Sequence, residues 1–178
     1  MKKIFLILTI LLLVGCADLS NTPTKRVENF LRDYQTLDSA VLTDLDNVIA
    51  TDVTLNDNQA DAYRDIMKKH YQNLTYEIKD DTIDGDNATV TAEITVTDFR
   101  NAMNEAEVYL NSNITEFNDE SGNYSISKYN DYRLERLKEV KDKVKYTIYL
   151  NLTKVNDEWV LNDIDSITYD KINGMYRY

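Results

Sequence analysis

Two side chains occur once each in this 178-residue sequence and carry chemistry that nothing else in it can duplicate: Cys16 and His70. With one thiol and one imidazole, no internal disulfide and no Cys/His zinc site can be built. His70 falls on an apolar stripe, where an imidazole reads either as a packed core side chain or as a general acid or base. Asp98 continues the parity of Val90, Ala92, Ile94 and Val96 to the end of a strand. Buried there, its pKa would rise and it could act as a base; just ahead of a helix, capping is its usual duty. The run Asp80 to Thr91 places carboxylates as a calcium loop does, but Thr82 and Thr91 stand where two ligands belong and the flanks read as strands. A hairpin turn is the better reading, and neither a metal site nor a cofactor is expected. No Gly-rich phosphate loop, nucleophile elbow or HExxH is present. Catalytic carboxylate pairs cannot be singled out among 31 acids.

Thirteen tyrosines are the compositional excess. Periodicity turns Tyr34, Tyr63, Tyr71, Tyr129, Tyr132 and Tyr146 inward and leaves Tyr149, Tyr169, Tyr176 and Tyr178 exposed. Exposed tyrosines are either scattered surface aromatics or a recognition surface for sugars or peptides.

The role of Cys16 follows from what precedes it. Lys2 and Lys3 lead into the apolar run 4–14, which is too short to cross a bilayer and reads as a secretory signal. Leu13-Val14-Gly15-Cys16 resembles the lipobox of bacterial lipoproteins. The resemblance implies cleavage after residue 15, a diacylglyceryl group on the Cys16 sulfur, and a lipid anchor on the exported face of the cell membrane. Residues 1–15 are then the signal, 16–23 the lipidated cysteine and tether, and 24–178 one domain. Two acyl chains suffice for stable anchoring. The mature chain would carry a net charge of about −13, which argues against nucleic acid as a partner and leaves membrane attachment to the lipid.

Beyond the tether, Thr22-Pro23 opens a helix to about Thr36 or Leu37, and residues 39–50 form a second with Val41, Leu42, Leu45, Val48 and Ile49 inward. Asn56 and Gln59 have capping-box spacing ahead of a third helix whose stripe includes Ile66, Met67, His70 and Tyr71. The period then changes to two: a short strand at Tyr76 and Ile78, a turn at Asp84-Gly85, and a strand through Val96. A helix over 101–114, with Met103, Ala106, Leu110 and Ile114 inward, and a loop over 117–127 follow. Next come a charged helix over 128–141 and a strand from Val144 to Leu152 that turns at Asn156-Asp157 into 158–164. A last helical turn over 170–175 closes at Gly174. The expected class is α+β: a curved antiparallel sheet of about four strands with helices packed on one face.

Three segments resemble bacterial lipoproteins with a nuclear-transport-factor-2-like or cystatin-like fold: the opening Thr22 to Leu31, the hairpin Lys154 to Asp163, and the tail Lys171-Ile172-Asn173-Gly174. That resemblance implies a cone of sheet around helices, often with a pocket, and it implies no particular activity. The leading expectation is a non-catalytic module that binds a small ligand or an envelope protein. One alternative is an isomerase- or dehydratase-like enzyme using Asp98 or His70 beside a tyrosine; another is a structural envelope spacer.

Overall fold

The structure is a computed structural model that describes residues 21–177. The signal, Cys16, most of the tether and Tyr178 lie outside the described residues. Each helix starts where a side chain satisfies its free N–H groups. The Thr22 hydroxyl accepts from Lys25 N at 3.1 Å and Pro23 opens α1 (Pro23–Thr36), while Asp38 caps α2 (Ser39–Thr51). Asn56 and Gln59 form the full capping box of α3 (Asp57–Gln72). Asp98 caps α4 (Phe99–Ser112), two residues ahead of the expected start, and Ser125 caps α5 (Ile126–Glu139). A 3-10 turn over Ile114–Phe117 lies between them, starting at the residue expected to end α4 and overlapping the expected 117–127 loop only at Phe117. Asp165 starts α6 (Ser166–Ile172), four residues before the predicted final turn.

Four strands form one antiparallel sheet in the order β1 (Thr75–Asp84), β2 (Asn87–Thr97), β3 (Lys143–Val155) and β4 (Glu158–Leu161). The α+β class read from the sequence is the observed one. Both hairpins turn on two residues. Gly85 takes a positive φ of 60° in the first, and Asn156 and Asp157 take 50° and 65° in the second, which matches the strand twist. β1 runs farther than its apolar residues suggest: past a register shift between Ile78 and Asp80 it keeps pairing to Asp84↔Asn87 with every side chain exposed.

The core lies on one face of the sheet. Val90 faces Leu150, Ala92 faces Ile148 and Ile94 faces Tyr146, all buried, and α1, α3 and α6 pack over the sheet. The opposite face is wet, with Lys145 bonded to Glu93 at 3.0 Å and Thr89 to Asn151 at 2.8 Å. Some inward assignments are corrected. Val48 is 59% exposed and Ile114 54% exposed, because α2 needs only Leu45 and Ile49 to seat it and α4 ends before Ile114. Tyr176, expected outside, is half-buried and meets the Tyr146 ring edge-on at 5.8 Å. In α5, Leu134 and Leu137 are buried.

A polar latch holds α5 against α3. The Gln59 carboxamide, 2% exposed, caps its own helix through oxygen and donates to the Ser127 carbonyl at 2.8 Å and the Asp131 carboxylate at 2.7 Å. The C-terminus is held by a tighter device. α6 ends in a Schellman motif, with Met175 N on the Asp170 carbonyl at 2.8 Å and Gly174 N on that of Lys171 at 3.1 Å. Gly174 has φ +68°, and a Cβ there would stand 2.0 Å from the Thr97 carbonyl oxygen. Only glycine lets the hook lie against the end of β2, where Gly174 O accepts from Arg100 N at 3.0 Å. Gly174→Ala is expected to cost about 3 kcal/mol in urea unfolding; a loss below about 1 kcal/mol would show that the hook is not tightly seated.

Candidate functional site

The hairpin turns share one end of the sheet, and β1 begins, β2 ends and β3 begins at the other. Asn21 binds the turn end, donating to the Asp157 carbonyl at 2.7 Å and accepting from Trp159 N at 3.2 Å. The thirteen residues of β3 at about 3.3 Å each separate the two ends by about 40 Å. The described N-terminal segment therefore joins the body at one end, and a sizeable cleft lies at the other.

That cleft has a volume of about 660 Å³ and runs between the last turns of α3 and α5 and the junction of β2 with α4, a size that suits a small molecule. Ile66, Phe99, Leu137 and Val140 give it an apolar lining. Four lysines line it as well (Lys69, Lys138, Lys141 and Lys143) against one carboxylate, Asp65. This is the reverse of the balance over the whole chain. Lys69 and Lys138 lie in the last turns of α3 and α5, where a cation offsets the helix dipole. Lys138 also pairs with Glu135 at 3.2 Å, as the sequence spacing predicts. Lys141 and Lys143 follow after α5 has ended, and neither forms an ion pair among the described residues. Lys143 donates to the Thr97 hydroxyl at 3.0 Å, and partial desolvation lowers its pKa.

His70 is part of the same lining and is 2% exposed. Its Nε2 lies 2.7 Å from the Ile172 carbonyl, which can only accept, so Nε2 carries the proton and donates. Nδ1 is left with a bare lone pair, buried and without a hydrogen-bond partner among the described residues. The ring packs on Phe99 with centroids 4.8 Å apart and meets Tyr71 edge-on. Burial pushes its pKa down to about 4, with the Ile172 carbonyl opposing the shift and the nearby Lys143 charge adding to it. His70 is thus a neutral, packed imidazole near neutral pH.

Asp98 lines a neighbouring, smaller cleft of about 310 Å³ with Glu105, Arg136 and Asp142; Val140 and Lys141 form the wall common to both clefts. Its carboxylate accepts from Asn101 N at 3.4 Å and its own N–H donates to the Asp142 carbonyl at 2.9 Å. The structure thus gives Asp98 the capping geometry. Neither cleft is lined by a tyrosine, so no phenol faces either cleft beside Asp98 or His70. Tyr71 touches the His70 ring but directs its hydroxyl to Asn173 at 2.8 Å.

Three of the six tyrosines expected inward gather between α1, α2, α3 and α6, whereas Tyr129 and Tyr132 pack on Phe117 and Tyr146 lies on β3. Tyr34, Tyr63, Tyr71 and the 41%-exposed Tyr169 surround a recess of only about 60 Å³. Burial raises the pKa of Tyr34 and of Tyr71 well above the ordinary phenol value. Tyr149 stands 62% exposed on the wet face. Among the described residues no group of three or more His, Cys, Asp or Glu converges as a metal would require, and no helix is long and apolar enough to cross a membrane. The Asp80 to Thr91 segment is the β1–β2 hairpin.

No family model and no curated protein matches this chain. A structural match is the crystal structure of a Bacillus subtilis protein, ycdA, provisionally classed as a lipoprotein. It has a TM-score of 0.43 and 14% identity over 87% of this chain and 47% of that one, so the chain spans about half the length of the protein it matches. Fold and site together define an α+β domain with a four-stranded antiparallel sheet and a basic cleft at one end.

The burial of His70 has a pH consequence. Its folded pKa of about 4 lies below the ordinary 6.5, so between those values the unfolded chain binds the extra proton. The stability linked to His70 is complete above pH 6.5 and declines as pH falls towards 4, by a total on the order of 3 kcal/mol. Because His70 is the sole histidine, its ring resonances identify it directly in NMR. The expected titration midpoint is near pH 4, and a midpoint near 6.5 would mean that the ring is solvated.

Proposed function

We propose that this chain is an exported lipoprotein, anchored through a diacylglyceryl group on Cys16, whose α+β body is a non-catalytic binding module. The observation that carries the binding role is the cleft at the end of the sheet remote from the N-terminal attachment, large enough for a small ligand and lined by cations in an acidic chain. The anchoring role rests on Leu13-Val14-Gly15-Cys16 behind a basic, then apolar, leader. The nuclear-transport-factor-2-like or cystatin-like resemblance of the terminal segments belongs to this proposal and agrees with a sheet that leaves a recess beside its helices.

A small ligand is favoured over a protein partner because the cleft is a local concavity with an apolar lining. The capping bond of Asp98 and the neutral, packed state of His70 supply no poised acid–base pair, which favours binding over proton transfer. On this reading the body is held close to the bilayer with its cleft facing away from the attachment end.

Cys16→Ser tests the anchor. The substituted chain should leave the membrane fraction, retain residues 1–15 by mass, and lose incorporation of labelled fatty acid. Unchanged fractionation together with removal of the leader would point to a plain secretory signal and a different means of attachment.

A further inference from the structure

We propose that the cleft between α3 and α5 binds a small soluble organic anion, its carboxylate or phosphate head held by Lys141 and Lys143 and its apolar body lying against Phe99 and Leu137. The inference rests on the reading of the domain as a binding module and names the chemistry of its ligand.

Several independent observations converge on this chemistry. Lys69, Lys141 and Lys143 have no ion-pair partner among the described residues, although the chain has 31 carboxylates to offer. Cations left unpaired around a concavity produce a focused positive potential there, which attracts an anion and weakens with salt. The apolar lining makes a bare inorganic ion a poor fit, because a hydrated ion gains nothing from Ile66, Phe99 or Leu137.

Position separates two sources of such an anion. Lysines that served an anionic lipid headgroup should lie near the membrane-attached end. These lie at the opposite end of a sheet about 40 Å long. A soluble ligand is therefore the source the geometry favours.

The test uses the mature full chain in nonionic detergent micelles and reads the ring resonances of His70. Phenyl phosphate and benzoate are the anionic probes, benzyl alcohol is the uncharged probe of similar shape, and inorganic phosphate is the probe without a body. Saturable shifts are expected with both organic anions, at least tenfold weaker binding with benzyl alcohol or inorganic phosphate, and weakening as salt is raised. Lys141→Gln with Lys143→Gln should reduce phenyl phosphate affinity at least tenfold while leaving that of benzyl alcohol unchanged. The salt dependence of the unsubstituted chain gives the same answer if the double substitution disturbs folding.

Equal binding of phenyl phosphate and benzyl alcohol would overturn the anion assignment and leave the binding module standing. If none of the four probes moves His70, the cleft is not the binding site and both readings fail. Binding to vesicles containing anionic lipid but not to the soluble anions would overturn the soluble source.

Discussion

The contact on which the rest of this structure depends is the approach of the C-terminal hook to the end of β2. Gly174 lies so close to the Thr97 carbonyl that a single methyl group would collide with it. Around that contact, His70 Nε2 donates to Ile172 O, Tyr71 binds Asn173, and Arg100 N donates to Gly174 O. These bonds tie α3, β2, α4 and α6 together at one end of the sheet. They also fix the imidazole in one tautomer, so that its second nitrogen is left without a proton beside the cleft. The hook is thus both a closure for the core and a wall-setting element for the site.

Burial and charge divide the molecule cleanly. The apolar face of the sheet, with Val90, Ile94, Ile148 and Leu150 fully enclosed, supplies most of the stabilisation through area removed from water. Surface ion pairs such as Lys79 with Glu77 add little, because both partners remain solvated. The buried polar groups instead set specificity of arrangement. Gln59 joins two helices with one carboxamide, and Asn130 donates to the Thr54 carbonyl at 2.8 Å to hold α5 over the α2–α3 turn. Against that background the cleft stands out, because four lysines line it against a single carboxylate, Asp65.

Local chemistry made much of the fold legible in the sequence. Thr22-Pro23, Asn56 with Gln59, Asp84-Gly85 and the alternation from Val90 to Val96 each state a backbone geometry within a few residues, and each is present. What escaped depends on partners distant in sequence. The exposed half of β1 carries no apolar pattern because backbone pairing with β2 is what holds it in place. The Asp165 cap of α6 lies outside the short terminal turn that Gly174 alone announces. The site was the least legible part. His70 and Asp98 were singled out, but packing and capping claim them. Lys69 is far in sequence from Lys143, and only the packing of α3 beside α5 unites them. The available signal was the stretch Lys138-Glu139-Val140-Lys141-Asp142-Lys143-Val144-Lys145, a basic segment in an acidic chain. Its meaning required a neighbouring helix to supply a wall.

The state of His70 links the hook to the cleft, and one measurement reads it directly: the imidazole nitrogen spectrum of the mature chain at neutral pH. The account predicts a single tautomer with the proton on Nε2, protected from exchange by its bond to Ile172, and a bare Nδ1. A proton on Nδ1, or a ring averaging between tautomers, would show that the hook does not seat as described.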